Sequence, residues 1–114
     1  MDDCIFCKIA QGEIPAKIAY QDDALLAFHD INPVAPTHIV IIPRQHITNA
    51  AALGAAQAPL VGKLILAATQ IARDLNVEAS GYRIVTNSGK YGGQTVAHLH
   101  FHLLGGRPMT WPPG

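Results

Sequence analysis

The sequence predicts an α+β fold: a five-stranded antiparallel sheet backed by one long helix, with a short helix at the N-terminus. Three observations carry this. Strand-like and helix-like segments follow one another in the order β-β-β-α-β-β, with hairpin-length connections between neighbouring strands. Leu60, Leu64, Ala68, Ile71 and Leu75 repeat at helical spacing, and Val61, Ile65 and Ala72 widen that stripe. From His98 to Leu104, polar and apolar residues alternate strictly until the closing Leu103-Leu104 pair, which is the pattern of a half-buried strand.

In chain order, Cys4-Ile5-Phe6-Cys7-Lys8-Ile9 is read as the short helix. Its C-x-x-C spacing fits half of a zinc site, a redox pair, or two small buried hydrophobes. Gly12 and Pro15 break the chain. Lys17 to Gln21 and Leu25 to Ile31 are predicted strands joined by a turn at Asp22-Asp23. Pro33 and Pro36 enforce an extended connection with few backbone donors. The strand His38 to Ile42 follows, and Ile39-Val40-Ile41-Ile42 is apolar without interruption, as expected when both faces are covered. Thr48 to Asn76 is Ala-rich and predicted helical, with Pro59 suited to a first turn and Asn76 to a stop. Its stripe is core, because an aliphatic stripe with Lys63, Gln70, Arg73 and Asp74 mostly off it covers a sheet. Tyr82 to Asn87 is the next strand, and the histidine run is the last.

At 114 residues there is room for one domain, spanning 1–114. Eight Lys plus Arg balance eight Asp plus Glu, which argues against a nucleic-acid backbone or an anionic membrane as the main partner. Any bound phosphate must therefore be held by local groups. No signal peptide and no bilayer-spanning apolar stretch are expected, and two cysteines do not make a secreted disulfide framework. The predicted location is cytoplasmic.

Three of the six histidines, His98, His100 and His102, stand at alternate positions of one strand. Leu99, Phe101 and Leu103 then face a core, and the imidazoles line the other face with roots roughly 6.6 Å apart. A single strand histidine is usually structural, and a His-x-His pair can also present ligands to zinc. Three in register point to nucleophilic or acid–base chemistry, since Thr or Lys would serve a mere surface equally well. The preceding Ser88-Gly89-Lys90-Tyr91-Gly92-Gly93-Gln94-Thr95 is a glycine-rich loop whose N–H groups can cradle an anion.

Gly93-Gln94-Thr95-Val96-Ala97-His98-Leu99-His100-Phe101-His102-Leu103-Leu104 resembles the signature of the histidine-triad (HIT) superfamily of nucleotide hydrolases and transferases. The tail, Gly105-Gly106-Arg107-Pro108-Met109-Thr110-Trp111-Pro112-Pro113-Gly114, is similar to that of the Hint branch, and the likeness runs from Ile5 to the last residue. The resemblance implies a HIT-like fold and a homodimer whose sheet continues across both subunits. The tail over 105–114 would then pack at the interface, and Trp111 would shape what binds in the partner's site. It further implies hydrolysis of purine nucleoside 5′-phosphoramidates of AMP or GMP to the monophosphate and an amine, with no cofactor required for catalysis. The competing readings are a nucleotide-binding interaction module with vestigial hydrolysis and a dinucleotide polyphosphate hydrolase of the fragile-histidine-triad type.

On the same resemblance, His100 is the nucleophile, forming a covalent nucleotidyl-histidine. Such an intermediate requires the other ring nitrogen of His100 to keep its proton by donating to a backbone carbonyl. His102 hydrogen-bonds the phosphate oxygens, His38 supports the proton relay, and the Thr95 hydroxyl meets the bridging atom of the leaving group. Phe28, His29, Asp30 and Ile31 hold the nucleoside, Asp30 at the ribose and Phe28 and Ile31 at the purine. Asn87, Gly93 and Gln94 contact ribose and phosphate at the mouth of the loop. Some HIT relatives carry zinc, and Cys4, Cys7, His46 and His98 would form such a site here, closed and structural.

Overall fold

The computed structural model describes residues 3–114; residues 1–2 of the predicted domain lie outside the described residues. The elements are α1 (Ile5–Ala10), β1 (Ile18–Gln21), β2 (Leu25–His29), β3 (Thr37–Pro43), α2 (Ala58–Asp74), β4 (Tyr82–Thr86) and β5 (Phe101–Gly105). All strand pairs are antiparallel, in the order β1-β2-β3-β5-β4. The last two strands thus swap places: β5 enters between β3 and β4, so the histidine strand is interior to the sheet.

The sheet is covered on both faces. Leu25, Ala27, Ile39, Ile41, Leu99, Phe101 and Leu103 pack with Leu64, Ala68 and Ile71 of α2. On the opposite face Leu26, Phe28, Val40 and Ile42 form a second cluster, with Phe6 and Ile9 of α1 packed against it. The unbroken apolar run of β3 is explained by this division, with alternate residues feeding the two clusters. Leu99, Phe101 and Leu103 fall together on the α2 side, as their alternation requires.

Three sequence expectations are corrected. The helix does not occupy all of Thr48 to Asn76. Leu53 (ψ 140°) and Gly54 (ψ −175°) are extended, so two short 3-10 turns, Ala50–Ala52 and Ala55–Gln57, precede α2. Pro59 stands in the first turn of α2, and Asn76 at φ 60° ends it in the left-handed region that Asn tolerates. Second, β2 stops at His29 rather than Ile31, because Asp30 Oδ1 accepts Asn32 N–H at 2.8 Å and turns the chain out of the ladder. Third, an apolar stretch of bilayer length does exist: Ala55–Asp74, 20 residues, is long and apolar enough by composition. Its buried stripe of Leu64, Ala67, Ala68, Ile71 and Ala72 lies on the sheet.

Candidate active site

The sheet register assembles the site. Phe28 pairs with Val40, Val40 with His102, and His102 with Val85, a transverse row across four strands on the α1 face. With strands about 4.8 Å apart, Phe28 and His102 stand two strands, roughly 10 Å, from one another. That is nucleotide scale. Two positions before Val40, His38 shares its face and reaches diagonally to His102, Nε2 to Nδ1 at 2.9 Å.

The three histidines of the run do not share one strand. Ladder pairing begins at Phe101, so only His102 lies within β5, and His98 and His100 precede it. Nor is the histidine face open: His98 is fully buried and His100 is 4% exposed. Phe6 of α1 covers both, its ring edge-on at 6.0 Å from His98 and 5.0 Å from His100. Exposed strand geometry is replaced by a packed one because α1 lies over the approach to β5. His100 and His102 remain neighbours, with ring centroids 5.0 Å apart.

Hydrogen bonding fixes the tautomers. His100 Nδ1 donates to the His98 carbonyl at 2.7 Å, since a carbonyl can only accept, and this leaves Nε2 of the neutral ring with its lone pair. Val34 N–H donates to His38 Nδ1 at 3.1 Å, so the proton of neutral His38 is on Nε2 and is given to His102 Nδ1. Neutral His102 therefore carries its own proton on Nε2. One bare nitrogen and one N–H donor are the two groups needed to attack a phosphorus and to hold its oxygens. Asp30 Oδ2 lies 3.4 Å from His38 Nε2, which favours the charged form of His38, yet burial outweighs it and His38 is held below the usual histidine range. Burial, reinforced by the charges of His100 and His38, pushes His102 from 6.5 down to about 4. It is a neutral donor at neutral pH, not an imidazolium.

These depressed values make a stability prediction. The unfolded histidine takes a proton near 6.5 and native His102 only near 4, so in that window the unfolded state binds more protons. Stability must then fall as pH is lowered from 6.5 towards about 4, with burial of His38 and His98 acting in the same direction. Calorimetric unfolding across this range should show the midpoint dropping, and His102→Gln should make the slope shallower.

Phe28, His29, Asp30 and Ile31 line one cavity of about 200 Å³, together with Phe6, Ile9 and Val40. A second cavity, about 410 Å³, contains His38, His102 and Asn87, flanked by Arg83, Arg107 and Met109. Asn87 Nδ2 is occupied by the Gly92 carbonyl at 2.6 Å. Thr95 is not among these groups: it is exposed and lines a third cavity of about 400 Å³ with Cys4, His46 and Thr48.

Gln94 is engaged within the protein in this structure. Its Oε1 accepts from Gly89 N and Asn49 Nδ2, and its Nε2 donates to the carbonyls of Thr48 and Val96, at 2.8 to 3.2 Å. All four bonds of the amide organise the loop and its contact with Thr48 and Asn49. Gly93 adopts φ +79°, and a side chain at Gly92 would run into the Ser88 carbonyl, so both glycines are required by the loop's path. Trp111 is 83% exposed, while its neighbours Met109 and Thr110 line the His102 cavity of the same chain.

A second cluster lies behind the first. Cys4 Sγ is 3.3 Å from His98 Nδ1, and Cys7 Sγ is 3.3 Å from His46 Nδ1 and 3.5 Å from His98 Nδ1. All four ligand atoms fall within 4.8 Å of one another. His98 Nε2 donates to the Pro43 carbonyl at 2.9 Å, which turns the lone pair of Nδ1 toward the sulfurs. Burial, then the neighbouring Cys4, pushes the Cys7 thiol up.

Sequence reasoning missed Phe6, Val34 and the two arginines. Phe6 sits inside the C-x-x-C motif, where an aromatic residue is a signal, but the spacing does not say which face it turns to. Val34 acts through its backbone N–H, which leaves no trace in residue type.

The family model for the HIT domain matches residues 11–109. Across 108 residues the chain is 45% identical to the purine nucleoside phosphoramidase of Escherichia coli (strain K12), covering 95% of this chain and 91% of that one. It is 48% identical over 113 residues to an uncharacterized HIT-like protein of Synechocystis, covering 99% and 98% of the two chains. Among solved structures, a HIT family hydrolase from Legionella pneumophila superimposes with a TM-score of 0.97 at 48% identity, over 98% of this chain and all of that one. A histidine triad protein from Clostridium difficile gives 0.94 at 41% identity, over 96% of each chain.

Proposed function

This chain belongs to the HIT domain family, and from that premise we propose that it hydrolyses purine nucleoside 5′-phosphoramidates to the nucleoside monophosphate and an amine. The observation that carries the reading is the His100 tautomer: Nδ1–H bound to the His98 carbonyl, Nε2 bare, and a neutral donor, His102, beside it. His100 Nε2 attacks phosphorus, the leaving nitrogen takes one proton from solvent water, the P–N bond breaks, and the amine departs. Water then cleaves the nucleotidyl-histidine, returning His100 and releasing the monophosphate. The similarity to a relative named purine nucleoside phosphoramidase supports the choice of substrate. The apolar cavity of Phe6, Phe28 and Val40 offers a base its walls, and Asp30 at its rim offers a ribose an acceptor. Turnover of a fluorogenic tryptamine–adenylate phosphoramidate tests this directly. Release of tryptamine and AMP is expected; tight AMP binding with no turnover would replace the enzyme by the nucleotide-binding module.

The Cys4–Cys7–His46–His98 cluster is read as a structural zinc site. The donor set fits: two sulfurs and two imidazoles make a closed tetrahedral set, and His98 has the second hydrogen bond, to Pro43, that metal-bound histidines need. Zinc there would pin α1 to the sheet and take no part in the chemistry. Uptake would release the raised Cys7 proton, so affinity should weaken in acid. Metal analysis of protein purified without chelator or His-tag should find close to one equivalent; less than about a tenth ends the reading.

Homodimerisation is supported by the edge of β4, unpaired among the described residues, whose five residues are all partly exposed, beside a tail that Arg83 holds through the Thr110 carbonyl at 2.7 Å. A second copy adding to that edge would extend the sheet, and Trp111 of the partner subunit would then stand near the site. Light scattering at micromolar concentration should give twice the chain mass, and a monomer mass overturns the dimer. Deleting Met109 to Gly114 should change substrate selectivity more than stability. A cytoplasmic location agrees with Cys4 and Cys7 both being free thiols.

A further inference from the structure

Helix α1 joins two sites that the sequence keeps apart. Its six residues are too few for a helix to be stable unaided, so its position depends on what its side chains grip. At the far end Arg44 Nη1 donates to the Ala10 carbonyl at 2.8 Å. The first turn depends on the cysteines: Cys4 Sγ accepts Cys7 N–H at 3.3 Å as the cap, and both sulfurs reach the histidine rings. Between them stands Phe6. Its ring meets Phe28 edge-on at 5.5 Å and His100 at 5.0 Å, and it forms a wall of the nucleoside cavity. His98 supplies the other connection, since its ring belongs to the cluster and its carbonyl holds the proton of His100.

We propose that Phe6 is a positioning residue for His100 and for the bound nucleoside, so that filling the Cys4–Cys7–His46–His98 cluster favours nucleotide binding. The proposal rests on reading the cluster as a zinc site. Without zinc only the thiol–imidazole contacts of 3.3 to 3.5 Å hold the first turn of α1, and Phe6 is then held less firmly against the His100 ring and the cavity wall. Coupling between two binding equilibria is reciprocal, so a nucleotide seated against Phe6 must tighten zinc by the factor that zinc tightens the nucleotide.

The probe is AMP, titrated calorimetrically into zinc-loaded protein and into chelator-stripped protein shown by circular dichroism to be folded. Stripping should weaken AMP about tenfold, and saturating AMP should tighten zinc equally against a chromogenic chelator. Phe6→Ala should erase the factor in both directions while zinc still binds, and Phe6→Leu should restore part of it. A merely structural Phe6 would lower stability and leave the reciprocal factor intact, which overturns the proposal. So does AMP affinity that stays within about twofold on stripping. If the stripped protein unfolds, the competition arm on loaded protein decides: zinc held no tighter with AMP than without it is a refutation. Protein that takes up no zinc, but in which Cys4→Ser still weakens AMP about tenfold, would fail the zinc reading and keep Phe6 as a positioning residue held by the cluster's side chains. Cys4→Ser without effect on AMP in such protein overturns both.

Discussion

His100→Asn or His100→Gly should abolish phosphoramidate turnover, by about three orders of magnitude or more, while AMP binding survives largely intact. The size follows from what is lost. Removing a nucleophile deletes the covalent pathway, whereas removing a hydrogen bond only raises its barrier. Binding survives because the cavity proposed for the nucleoside is lined by Phe6, Phe28 and Val40 and not by His100. The Asn variant tests this most cleanly, since its amide can still donate near the His98 carbonyl but presents no nucleophilic nitrogen. Quenched-flow mass spectrometry on the unaltered protein with an adenylate phosphoramidate should find the nucleotidyl adduct on His100. An adduct on His98 or His102 would overturn the assignment.

His98→Ala should separate from this. Its ring gives no nitrogen to the phosphate, because Nε2 is committed to Pro43 and Nδ1 faces the cysteines. Its carbonyl, which the substitution keeps, is what orients His100. Stability should fall, and rate should fall only in part.

How much of this was legible depends on the range of the interaction. The phase of the run from His98 to Leu103 was readable because it needs only period-two alternation, and Leu99, Phe101 and Leu103 duly share the α2-side core. The start of β5 was not, since pairing depends on partners in β3 and β4 far away in sequence. Phe28 to Ile31 could be grouped because consecutive residues at a strand end stay together. Pro59 and Asn76 marked the true ends of α2, but the Ala-rich stretch before Pro59 looked equally helical. Gln94 shows the opposite limit. Its residue type fits a phosphate contact, and only the positions of Thr48, Asn49, Gly89 and Val96 around it reveal that its amide is already saturated.

His102→Ala should lower kcat by about 10²–10³-fold, less than loss of His100 and more than loss of His98. Control of the His102 proton begins at a backbone group. Val34 N–H holds His38 Nδ1 as acceptor, His38 Nε2–H then holds His102 Nδ1 as acceptor, and the only proton left to neutral His102 is on Nε2. With its ionisation pushed down to about 4, the ring stays neutral at physiological pH and donates without changing charge. Such a donor strengthens most when negative charge grows on the phosphate oxygens, so its loss should appear in kcat and leave KM nearly unchanged. His38→Ala acts only through this tautomer and should cost less than His102→Ala, with little further loss when the two are combined. Single-turnover kinetics on the two single variants and the double variant check it. Fully additive losses would break the chain from Val34 to His102 as a mechanism, because residues acting in series cannot each remove an independent contribution.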